Sequence, residues 1–393
     1  MRIPSGCSKL DRSEIIDRVK GLIFGAVLGD SLGIATQGMT RAQVKQAYGN
    51  GPVRFGLGME EEDCMDEGVP FVRDAYRMLF DDNDFSGDIE QQLLVIKTLV
   101  ENEGQFNFKT FCARLEQHLS KDARQRTADQ ERGGYNGALV RSVVLGIPKF
   151  WDGTTVIENA AESCRACVAR PDPRCMISCV ILSTLVARIL RAQDLEIKQR
   201  AMIETPLPSP SLHPPPQQQQ QHDRAAGLAK STSPHYIDTL AADEHILSLV
   251  HSVIDLNKHL LIERTTDRLF RTFETDQDLA QAYYKQLLDY CYHPPSDIDS
   301  LDLDNDQHRT FKSLGVSVYA FTRQIQPGTE TECFKKMLMD IVMQGGDAGT
   351  NAAVSGALLG VRVGYSGLPS EWVIGLKRWE WLEDRVEEFC HLL

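Results

Sequence analysis

Three short polar islands interrupt a chain of otherwise apolar helical periodicity, and their residue types suit oxygen-ligand chemistry. "GDSLGIATQGM" carries Asp30 and Gln37, "FSGDIEQQ" carries Ser86, Asp88 and Glu90, and "QGGDAGTNAAVSGALLG" carries Asp347 and Thr350. Ser86 is placed to cap a helix whose first turn holds Asp88 and Glu90. Asp347 and Thr350 stand three apart and so share one helix face. A carboxylate at a helix start is ordinarily a capping device, held by orphan N–H groups and the positive end of the helix dipole. Brought to one place, the same carboxylates and hydroxyls would be hard oxygen ligands for a divalent cation. In the third island a glycine, Gly349, stands where a second carboxylate would complete such a set.

The elements that must position these islands read as helices. The pattern is helical from Ser13 to Leu28, and "GLIFGAVLGDSLG" places Gly21, Gly25, Gly29 and Gly33 at every fourth position. Small residues at that spacing let helices approach closely, which suits a buried central helix better than a phosphate loop. Periodicity of 3.6 predicts further helices over 87–102, 108–120, 135–146, 155–168 and 174–193. It resumes near Ile237 through "EHILSLVHSVIDLNKHLL" and continues over 278–291, 308–323, 331–343, 347–363 and 369–391. No train of alternating strands is present, so the fold class is all-α. Residues 205–232, "TPLPSPSLHPPPQQQQQHDRAAGLAKST", are a low-complexity insertion too poor in apolar side chains to offset its ordering entropy. Both of its flanks look like core helices of the same type, which argues for one compact domain over 13–393 with the insertion looping out. Two helical domains joined by a linker are the alternative.

The 393 residues carry a formal net charge of -13, which argues against a nucleic-acid surface, since phosphate neutralisation needs clustered Lys and Arg. The start, "MRIPSGCSKLDRSEIIDRVK", has no apolar core of a signal peptide, and no run of eighteen apolar residues predicts a membrane span. Ten cysteines without a secretory signal read as reduced thiols of the cytoplasm or nucleus. The four closest, Cys164, Cys167, Cys175 and Cys179, sit in helix-like segments rather than on tight knuckle turns, which disfavours zinc. "DIDSLDLDND" lacks the glycine and glutamate of a calcium loop, with Gln307 and Ser313 at those places counted from Asp302, and reads as a solvated acidic loop.

Taken in order, "GLIFGAVLGDSLG", "NDFSGDIEQQLLVIKTL", "YNGALVRSVVLG", "RPDPRC" and "GGDAGTNAAVSGALLG" resemble the ADP-ribosylglycohydrolase family, which includes the dinitrogenase-reductase-activating glycohydrolases. The closing "LPSEWVIGLKRWEWL" is in the same style, and the resemblance runs from about Val19 to Leu393. It implies an all-α domain holding two Mg²⁺, or Mn²⁺, at its centre. It also implies hydrolysis of the N- or O-glycosidic bond between ADP-ribose and a protein side chain or small acceptor. The implied partner is ADP-ribose or an ADP-ribosylated protein.

Carried over residue by residue, the resemblance places metal ligands at Ser86, Asp88, Asp347 and Thr350, the catalytic carboxylate at Asp88, and substrate contacts at Asn136, Gly137 and Arg141. Arg141 reads equally as a buried ion-pair partner. The family's T-D-D-T falls on Ser86, Gly87, Asp88 and Ile89, and its D-x-D-T on Asp347, Ala348, Gly349 and Thr350. A carboxylate is missing from each. Gln37 stands where relatives often have glutamate, and Ala169 and Arg170 where many have Thr-His. Two fewer negative charges weaken a site for two dications, so the expectation is a hydrolase weakened or lost, or an inactive binding or scaffold protein on the same fold, unless a neighbour such as Glu90 compensates.

Overall fold

The computed structural model describes residues 3–56, 68–121, 136–165, 172–192, 242–266 and 273–393. Among them are fourteen α-helices and no strand: α1 (Arg12–Gly33), α2 (Arg41–Tyr48), α3 (Gly87–Glu101), α4 (Phe108–Lys121), α5 (Gly137–Ser142), α6 (Gly153–Arg165), α7 (Pro173–Arg191), α8 (Glu244–Thr266), α9 (Phe273–Leu287), α10 (Arg309–Thr322), α11 (Glu330–Val342), α12 (Ala348–Val363), α13 (Ser370–Gly375) and α14 (Trp379–Cys390). The all-α expectation holds, with only isolated bridges pairing Val53 with Val69 and Ala242 with Arg323. The insertion at 205–232 lies outside the described residues, as do Cys167, Ala169 and Arg170.

Local chemistry sets several starts. Asp11 and Glu14 form a reciprocal capping box on α1, Thr40 and Gln43 another on α2, and Asp172 caps α7 with Pro173 in the first turn. α7 is apolar and long enough to cross a membrane by composition, but it is buried within the helical body, where Ile177, Ile181, Leu185 and Leu190 are at most 1% exposed.

The central contact is the antiparallel pair of α1 and α12. A Cβ built on Gly21 would lie 2.3 Å from the Gly360 carbonyl oxygen, on Gly25 2.2 Å from that of Gly356, and on Gly29 2.0 Å from that of Ala352. The two backbones therefore touch, as the four-residue glycine spacing predicts. The consequence is positional: the C-terminal end of α1, with Asp30 and Gln37 beyond it, is fixed against the N-terminal end of α12, with Asp347 to Thr350.

Several boundaries differ from the periodicity. α1 runs on to Gly33 because the glycine contact with α12 continues there, and α2 was not legible as a separate helix. The segment predicted as one helix over 369–391 is two, broken where Leu376 turns extended and Arg378 takes φ 63°. The break lets the Lys377 N–H reach the Asn83 carbonyl, while Arg378 pairs with Asp84 and lies over the Phe85 ring, holding the loop ahead of α3. The 135–146 segment starts helically at Gly137 and tightens to a 3₁₀ turn at Val143–Gly146, where Gly146 packs on the Ser183 carbonyl. The acidic stretch is not a freely solvated loop. Its Ile298, Leu301 and Leu303 are buried, Asp304 accepts the Arg41 N–H, and Leu303 abuts Gly346 beside the third polar island.

Candidate active site

The three islands converge. Asp30 is fully buried, and its carboxylate accepts the Ser86 N–H at 2.5 Å and the Ser86 hydroxyl at 2.7 Å, which ties the end of α1 to the cap of α3. The Ser86 oxygen in turn accepts the Asp88 N–H at 3.2 Å. Thr350, in the first turn of α12, donates to Asp88 Oδ2 at 3.1 Å, with Asp347 Oδ1 at 3.3 Å. Four of the residues expected as metal ligands or catalytic acid, Ser86, Asp88, Asp347 and Thr350, thus form one hydrogen-bonded group.

Asn136 belongs to it as well. Its amide donates to Asp347 Oδ2 at 2.9 Å and its carbonyl accepts from the Thr310 hydroxyl at 2.9 Å. Gly137 brings α5 close to the cluster: a Cβ there would stand 2.6 Å from Asp88 Oδ1, which would have to move aside. Arg141 lies apart. It is 4% exposed and donates to Gln91 Oε1 at 2.8 Å and to the Ser163 carbonyl at 3.1 Å, one turn along α3 from Asp88. It is thus buried, with neutral oxygens rather than a carboxylate as its bonded partners. Glu90 lies 3.1 Å from His118 and adds its charge to the field at Asp30.

Gln37 occupies the position that decides the chemistry. Its amide nitrogen donates to Asp347 Oδ1 at 3.0 Å, and its amide oxygen accepts the Gly349 N–H at 2.7 Å. One neutral side chain therefore spans the two residues that align with the family's second acidic pair. A Cβ on Gly349 would meet Gln37 Oε1 at 3.2 Å and Asp30 Oδ1 at 3.7 Å, so the absent carboxylate and the Gln37 amide share one space. Arg309, at the start of α10, adds positive charge 3.8 Å from Asp347 Oδ2. Arg309 and Thr310 carried no sequence signal, since they follow the acidic stretch without a recognisable motif.

The electrostatics follow from burial. Desolvation pushes the Asp30 carboxyl up to about 6, against the opposing pull of the two Ser86 hydrogen bonds, with Glu90 and Asp84 adding to the rise. The outer members, Ser86, Asp88, Asp347, Gln37 and Arg309, are half-buried and within reach of solvent, whereas Asp30, Asn136 and Thr350 are buried.

The donor set bears on a metal. Among the described residues, no three carboxylates or histidines bring ligand atoms within 4.8 Å of one another. The acids present accept hydrogen bonds from Gln37, Asn136, Thr350 and Ser86. Two Mg²⁺ need near-octahedral oxygen shells and charge compensation, and Asp30, Asp88 and Asp347 together offer three negative charges against four positive ones. These residues do not fit a two-ion centre.

The ADP-ribosylglycohydrolase family model matches residues 11–393, and the chain belongs to that family. Among solved structures, one described as an ADP-ribosylglycohydrolase-related protein complex is similar over 97% of this chain and 99% of its own, at 16% identity and a TM-score of 0.50. That likeness concerns the fold alone. Comparison with curated proteins finds no match.

Proposed function

We propose that this member of the family recognises ADP-ribose, free or attached to a protein, at the cluster around Asp88, Asn136 and Asp347, and that metal-dependent hydrolysis is weakened or lost. The observation that carries the reading is the Gln37 amide bridging the Gly349 N–H and the Asp347 carboxylate. It satisfies with a neutral group the positions that a family hydrolase would give to acid and cation. A neutral amide does not take up a proton near neutral pH, so Gln37 cannot act as the base that a glutamate would supply. Fold membership does not carry activity by itself, and the departures from the family pattern fall on the site. The half-buried starts of α3 and α12 meet at the cluster, so their positive dipole ends favour an anionic, phosphorylated ligand there.

The test incubates the protein with an ADP-ribosylated target and excess Mg²⁺, following released ADP-ribose and retained complex together. The expected result is a complex that persists with little release, equally with chelator. Release that turns over many times and stops on chelation would overturn the proposal.

A further inference from the structure

A second concentration of ligand atoms lies away from the carboxylates. Cys164, in the last turn of α6, meets Cys175 and Cys179, which stand four apart on one face of α7. The Cys164 and Cys175 sulfurs are 3.5 Å apart, and all three sulfurs lie within 4.8 Å of one another. Their residues are 3%, 1% and 0% exposed. It is the one group of three or more such ligand atoms among the described residues. Each cysteine pair falls in a helix, where spacing alone disfavours zinc. The fold supplies what spacing does not, by packing the end of one helix against the first turns of the next.

The surroundings supply a second observation. Arg141 is buried, always charged, and bonded to the neutral Gln91 and Ser163 oxygens, while its Nε has no hydrogen-bond partner. A buried guanidinium calls for compensating negative charge. Its field reaches both Cys164 and Cys179. The Ser163 hydroxyl, next to Cys164 in the chain, is likewise buried without a partner.

We propose that Cys164, Cys175 and Cys179 hold a soft divalent cation of the zinc class as three thiolates. A Zn–S bond of about 2.3 Å in tetrahedral geometry separates sulfurs by roughly 3.8 Å, against 3.5 Å for the Cys164–Cys175 pair and an upper limit of 4.8 Å for all three. Charge selects the valence. Three thiolates and the Arg141 guanidinium sum to two negative charges, which a divalent ion cancels and a monovalent soft ion does not. Binding releases the thiol protons to solvent, and water completes the fourth position. The ion ties α6 to α7. It also fixes Arg141, and through Gln91 it stiffens α3 one turn beyond Asp88.

The experiment uses the full chain, purified under reducing conditions and stripped with a chelator. Zn²⁺ is titrated against a chromophoric competitor, and Co²⁺ is added separately to read thiolate-to-cobalt charge transfer, which a carboxylate site cannot give. The expected result is a single zinc per chain, a thiolate–cobalt band, and a melting temperature that falls on stripping and returns with zinc. Cys179→Ser and Cys164→Ser should each lose the band, whereas Cys333→Ser, on α11, should keep it. Because one variant could fail to fold, far-ultraviolet dichroism selects the helical one for the comparison. Absence of zinc binding in the stripped wild-type chain would overturn the proposal. So would an unchanged cobalt band in a folded Cys164 or Cys179 variant, or a Cys164–Cys175 disulfide in the protein as isolated.

Discussion

Replacing Asp30 by asparagine should stabilise the protein at neutral pH and leave its stability nearly unchanged in mild acid. Asp30 is fully buried, and burial raises its carboxyl from 3.8 to about 6. A folded-state value above the unfolded one means that the folded chain holds the proton more tightly. The contribution of Asp30 is therefore greatest below about pH 4 and is lost as pH rises through about 6. The shift corresponds to an ionisation cost of at most about 3 kcal/mol above pH 7, at 1.36 kcal/mol for each pH unit. Asparagine removes that cost but weakens the charge-assisted bonds from the Ser86 N–H and hydroxyl, by about 1–2 kcal/mol together. The net expectation for Asp30→Asn is a gain of about 1–2 kcal/mol at pH 7.5 that disappears by pH 4.5. Urea denaturation at both values, without divalent ions, measures it through the midpoint at constant slope. Equal destabilisation at both pH values would refute the reasoning, because it would show that the Ser86 bonds, not desolvation, dominate at Asp30.

The other expectations concern the same ends of the same helices. Gln37→Glu should set a second carboxylate beside Asp347, destabilising by about 1–2 kcal/mol at pH 8 and less at pH 5, and millimolar Mg²⁺ should restore part of the loss. Comparing urea midpoints with and without Mg²⁺ tests this. Gly25→Ala should cost about 1–3 kcal/mol by overpacking, since its Cβ would stand 2.2 Å from the Gly356 carbonyl oxygen, and Gly25→Leu should prevent folding, both visible in thermal melts. Gly137→Ala should press on Asp88 Oδ1 and weaken ADP-ribose binding roughly tenfold, about 1.4 kcal/mol, with little change in melting temperature; calorimetry reads the affinity.

Much of this architecture is legible in the chain because its signals are local and periodic. The Gly21, Gly25, Gly29 and Gly33 series announces a backbone-to-backbone helix contact, and Ser86 announces the cap of α3. What the sequence withholds are partnerships across long separations. The residue types show that Gly87 and Gly349 lack carboxylates, but only the packing of α1 on α12 shows Gln37 filling the gap between Gly349 and Asp347. Arg309 and Thr310 join the cluster because Ile298, Leu301 and Leu303 pull the acidic stretch inward, which a count of aspartates conceals. The break at Leu376–Arg378 lies within unbroken apolar periodicity and is set by tertiary bonds to Asn83 and Asp84.

The central claim is that the cluster handles ADP-ribose without a two-metal centre, and calorimetric titration tests it most directly. Chelator-treated protein is titrated first with Mg²⁺ or Mn²⁺ and then with ADP-ribose, with and without the metal; the Cys164→Ser variant is run alongside to remove any signal from the thiols. The expected result is no carboxylate-site binding of either metal up to millimolar concentration, and an ADP-ribose affinity that the chelator leaves unchanged. Sub-millimolar metal binding that persists in Cys164→Ser and tightens ADP-ribose binding would contradict it.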